Sequence, residues 1–86
     1  MIHVTTVISK QHWPEHGPEN TGSWRVQSCM IDFGAEREPL TMSSDFVYIS
    51  PEYAHEDMKQ QALEKIRSEG YTESEADIVW RLHMIG

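Results

Sequence analysis

Eighty-six residues make room for one small domain spanning 1–86. A chain this short buries only roughly 60% of the surface its unfolded form exposes, so pairing with a second copy as a homodimer would help it. Seven Lys and Arg against fourteen Asp and Glu give a formal charge of −7. That balance opposes direct nucleic-acid or anionic-membrane binding and suits a protein partner with a basic surface. A single cysteine, Cys29, excludes an internal disulfide and a cysteine-cluster zinc site. No apolar run approaches the ~20 residues of a membrane span, and the first ten residues lack the basic and long apolar regions of a secretory signal. A cytoplasmic location follows as the expectation.

The first element, "IHVTTVIS" (residues 2–9), is rich in β-branched residues and places Ile2, Val4, Thr6 and Ile8 on one face of a strand. Two Pro and two Gly between Lys10 and Gly22 interrupt regular structure. "SWRVQSCMIDF" (23–33) reads as a second strand with Trp24, Val26, Ser28 and Met30 on one side, and Cys29 as a buried structural thiol. After the turn "GAEREP", a third strand is expected over Leu40 to Ile49, because Leu40, Met42, Phe46 and Tyr48 share one parity.

"SPEYAHEDMKQQALEKIRSEG" carries the strongest helix signal. Ser50 suits the N-cap, Pro51 the first helical position, Glu52 the positive end of the dipole, and Gly70 the exit. Ala54, Met58, Ala62, Leu63 and Ile66 form a stripe at helical spacing that should pack on the sheet. The tail has two readings. Thr72 followed by Glu75 is a capping-box pattern, predicting a second helix from about Glu73. Ile78, Trp80, Leu82 and Met84 alternate as a fourth strand would. The expected fold is therefore α+β: a three-stranded antiparallel sheet packed by one long amphipathic helix, plus a C-terminal helix, with a fourth strand as the alternative.

His12-Trp13-Pro14-Glu15-His16 spells H-x-x-E-H, which resembles the inverzincin metallopeptidase motif. The resemblance covers five residues. Zinc binding by two such histidines relies on a helix that puts i and i+4 on one face. Pro14, Gly17 and Pro18 deny that helix here, so neither metal nor cofactor is expected. His12 and His16 are the metal-ligand candidates, to which Glu15, Glu19 or a distant His3, His55 or His83 could add ligands. Trp13 becomes the residue of interest: framed by Pro and Gly, it either caps the core or projects as a partner-binding anchor.

A helix-turn-helix reading of 62–82 fails on charge, since Glu73, Glu75 and Asp77 would meet the phosphates. Gly70-Tyr71 resembles the Gly-aromatic loop of ubiquitin-associated domains, but Glu69 stands where those carry an apolar residue. No phosphate-binding Gly-rich loop and no nucleophile elbow is present, so no catalytic residue is assigned. The stretch from Glu52 to Asp77 holds eight acids against three bases. The leading expectation is a non-catalytic protein-binding module that offers Trp13, Glu52, Glu56, Asp57, Glu64 and Glu69 to a basic surface. In size, acidity and lack of catalytic motifs the chain resembles phage- or mobile-element-encoded inhibitors, anti-CRISPR proteins among them, by composition alone. The alternative is a cytosolic ligand-binding or enzyme-subunit α+β domain, expected to be dimeric, with a pocket drawing on His3, Tyr53, His55 or His83.

Overall fold

A computed structural model of the chain describes residues 1–11, 23–35 and 37–85. The elements in chain order are β1 (His3–Gln11), β2 (Ser23–Asp32), β3 (Leu40–Met42), β4 (Val47–Tyr48), α1 (Pro51–Ser68), a single 3-10 turn (Glu75–Asp77) and β5 (Val79–Ile85). They form one helix packed on a five-stranded mixed sheet of order β3-β2-β1-β5, with β4 also paired to β2. All pairings are antiparallel except β1 with β5, which run parallel.

The alternation of β1 sets the two faces. Ile2, Val4, Thr6 and Ile8 are buried beneath α1, while His3, Thr5, Val7 and Ser9 stand half-buried on the opposite, uncovered face. Thr6, the one buried polar residue of the core among the described residues, donates its hydroxyl to Cys29 Sγ at 3.5 Å, and burial raises the Cys29 thiol pKa.

Along β2 the alternation slips by one residue. Val7 is opposite Ser28 and Ile8 is opposite Val26, so Gln27 is the extra residue of a β-bulge. Before it, Trp24 and Val26 face the core. After it, Cys29, Ile31 and Phe33 do, and Ser28 and Met30 turn to the open face. The uniform face expected for Trp24, Val26, Ser28 and Met30 is thereby corrected: a period of two carries every side chain across the sheet when one residue is inserted.

The expected third strand is two short ones. Ser44 accepts from the backbone N–H of Phe46 at 3.2 Å and lies 3.0 Å from the Tyr48 hydroxyl. Such local side-chain bonds compete with the sheet ladder. Leu40, Met42 and Tyr48 pack against the core, whereas Phe46 is 67% exposed.

Helix α1 forms as its signals predict. Ser50 is the N-cap and accepts from the Tyr53 N–H at 3.2 Å. Ala54, Met58, Ala62 and Ile66 are fully buried and Leu63 packs beside them. Gly70 takes a φ of 92° just past the helix, a left-handed conformation a side chain would resist. One end of the core is closed by Phe33 stacked on Tyr71 at 4.6 Å, with the Arg37 guanidinium 4.9 Å above the Phe33 ring.

No second long helix follows. The Thr72–Glu75 capping box does not form: the N-cap of the 3-10 turn is Ser74, without a side-chain cap bond. Ser74 donates instead to Asp77 at 2.9 Å, while the Trp80 indole N–H donates to the Glu75 carbonyl at 2.9 Å. From Ile78 the alternating pattern prevails: β5 zips onto β1, starting with the Val79 N–H on the Ile2 carbonyl at 2.9 Å. This corrects both the three-stranded, all-antiparallel sheet and the C-terminal helix. β-Branched and aromatic residues gain more by completing the sheet beside β1 than from a helix exposed on most sides.

Candidate functional site

The five acids proposed as a partner-binding row do not form one. Helical spacing puts Glu52 and Glu56 one turn apart on the flank that also carries Lys59, whose ammonium lies 5.7 Å from the Trp80 ring and so faces β5. Asp57 belongs to the opposite flank, where it accepts from the Tyr48 hydroxyl and from Gln61 at 3.1 Å. Burial first, and then the Asp57 hydrogen bond, raise the Tyr48 pKa. Glu64 is exposed two turns further along that same flank.

Glu69 is engaged from both sides. It receives the Arg37 guanidinium, and Lys65 approaches its other oxygen at 3.8 Å. The Arg37 hydrogen bond lowers the Glu69 pKa and raises that of Arg37. Asp57 and Glu69 thus serve internal contacts, and Glu52, Glu56 and Glu64 remain as exposed carboxylates on the outer side of α1. Trp13, His12 and His16 lie outside the described residues, as does the question of metal binding there.

His55 sits one turn before Lys59 on the β5 flank, and its Nε2 is buried without a hydrogen-bond partner among the described residues. Burial, reinforced by the Lys59 charge, lowers its pKa, so the ring is neutral at pH 7. Among the described residues no three His, Cys, Asp or Glu side chains group as metal ligands do. Of the pocket candidates, Tyr53 is 63% exposed on the helix, while His3 and His83 belong to the uncovered face of the sheet, and these positions do not converge on His55.

Two surfaces escape a reading based on net charge. The first is the uncovered sheet face, where strand parity places Arg25, Arg81, His3 and His83 with Asp32 as the one acid among the described strand residues. The acids gather on the helix side and the loops, so a chain of charge −7 still presents a face that is not acidic. The signal is in the sequence as the odd-numbered residues of β1 and β5, but it becomes readable only after the C-terminal strand is recognised. The second is β5 itself, an edge strand of the sheet among the described residues, with Leu82, Met84 and Ile85 exposed at 36%, 55% and 49%.

No family model matches the chain, and neither a curated protein nor a solved structure matches it. No helix among the described residues is long and apolar enough to cross a membrane.

Proposed function

We propose that the chain is a non-catalytic protein-binding module that offers the acidic outer side of α1 to a basic surface of a partner protein. The observation that carries this reading is the division of the helix acids: Glu52, Glu56 and Glu64 are exposed and make no ion pair among the described residues, whereas Asp57 and Glu69 are committed to Tyr48 and Arg37. Carboxylates held on a rigid helix steer a basic partner and fix its register. An inhibitor of the phage or mobile-element kind would work this way, by occupying a Lys/Arg-lined groove.

Charge reversal tests it. The triple variant Glu52→Lys, Glu56→Lys, Glu64→Lys touches no buried contact and should fold. Immobilised wild-type chain should retain a partner from host lysate that elutes early in a salt gradient, and the variant should lose that partner by about tenfold or more in affinity. Retention of the same partner with the same salt dependence by both chains would overturn the proposal.

A further inference from the structure

We propose that β5 is the docking edge for a second copy of this chain, the two β5 strands pairing antiparallel about a two-fold axis at Leu82. In a parallel pair, successive residues point their N–H and C=O groups alternately toward and away from the neighbouring strand. The Val79 N–H bonds to the Ile2 carbonyl, so Val79, Arg81 and His83 face β1. Trp80, Leu82 and Met84 therefore aim their backbone groups off the edge of the sheet, where the described structure gives them no strand partner.

Those three residues fit a copy of themselves. With the axis at Leu82, the strand Val79–Ile85 overlaps its counterpart along its whole length. Leu82 meets the second copy's Leu82, and Trp80 meets the second copy's Met84, each pair exchanging both main-chain hydrogen bonds. A shift of the axis by one residue pairs Arg81 with Arg81, or leaves Trp80 without a partner within the strand. A shift by half a residue is excluded, because it would put side chains from opposite faces side by side.

Side-chain chemistry agrees with the backbone. The centred register sets Trp80 against Met84 on the helix side, and Val79 against Ile85 and Arg81 against His83 on the open face, so that two of these three cross-strand pairs are apolar. It brings no acid to the seam: residues 78–86 contain none, although the chain as a whole carries −7. Mutual repulsion between two acidic chains is thus smallest where β5 meets β5. Of the common guards against pairing, the strand carries only the charge of Arg81, with no Pro, Lys or bulge in seven residues. The other edge is interrupted between β3 and β4 by Ser43, Ser44 and Asp45.

Sedimentation equilibrium over a concentration series should show the mass rising from 10.0 kDa to twice that value. Leu82→Pro removes an outward-facing N–H at the axis without touching the β1 ladder, a position where an edge strand accepts Pro. Met84→Lys introduces the charge that natural edges use. Both variants should sediment as monomers with a wild-type circular dichroism spectrum, and should Leu82→Pro fail to fold, Met84→Lys alone decides. Hydrogen exchange adds a parity readout. The amides of Trp80, Leu82 and Met84 should slow as concentration rises, while those of Arg81 and His83 are slow throughout. Glu64→Lys should leave the dimer intact, which keeps this inference separate from the acidic-face proposal. A wild-type mass that stays at one chain up to the solubility limit would overturn the pairing, as would dimers that survive Met84→Lys.

Discussion

The covered and open faces of this sheet are made by the same strands, yet Met30 and Ile31, neighbours in the chain, live in opposite environments. Ile31 is fully buried under α1, and Met30 is 46% exposed on the open side. What separates them is register, since hydrophobicity alone would bury both. The bulge at Gln27 decides which of the two is core, and it lets one strand serve both Trp24-Val26 before it and Cys29-Ile31 after it. A single inserted residue therefore assigns the chemistry of each face.

The sharpest way to break this division is to delete Gln27. The strand segment before it would turn over, sending Val26 outward and Arg25 into the core, and burying an unpaired guanidinium costs several kcal/mol. Against a typical stability of about 5–15 kcal/mol that change should abolish cooperative unfolding in a urea titration. A deletion variant with a wild-type midpoint would mean that the bulge can migrate and does not define the faces. A milder comparison uses the neighbours themselves. Ile31→Ala should cost about 2–5 kcal/mol, and Met30→Ala less than about 1 kcal/mol, by chemical denaturation. Equal costs would mean that the open face is covered in solution.

The covered face also depends on the helix that covers it. Ser50→Ala removes the acceptor for the Tyr53 N–H and should cost about 1 kcal/mol, read as a shift of the denaturation midpoint with unchanged slope. Loss of the cap without any shift would show that α1 is held by its buried stripe alone.

How far the two faces are legible before folding depends on what each signal refers to. α1 was legible because cap, first-turn Pro, apolar stripe and terminal Gly all agree within one continuous segment. β1 was legible from its run of β-branched residues, although Thr6 and Val7 break the apolar-polar alternation between Ile2 and Ile8. The β2 faces were not, because a bulge leaves no mark that distinguishes Gln27 from an ordinary outward residue. The tail holds two competing patterns, a capping box and an alternating strand, and the structure realises the strand. Only the vacancy beside β1, a fact of tertiary structure, decides between them. The acidic candidates show a similar limit. Composition locates the acids along α1, but the partners of Asp57 and Glu69 come from Tyr48 and Arg37, nine and thirty-two residues away.

The smallest effect concerns His55, at the margin between the covered core and β5. Its folded-state pKa is lowered from the ordinary 6.5 by burial and by Lys59. The unfolded chain therefore binds a proton more readily than the folded one, and stability rises with pH wherever their protonation differs. Acidifying from pH 7.5 through 6.5 should destabilise the wild type, and the loss should level off once pH falls below the lowered folded value. His55→Leu removes the titration together with the buried, unpartnered Nε2, and Leu suits both the helix and its apolar surroundings. The variant should match or exceed wild-type stability at pH 7.5, and its advantage should widen on acidification. Because the other histidines remain in both proteins, the difference between the two melting curves isolates His55. Curves that stay parallel from pH 7.5 to 5.5 would mean that the ring reaches water when protonated, and that the seam between α1 and β5 is looser than its packing around Trp80 implies.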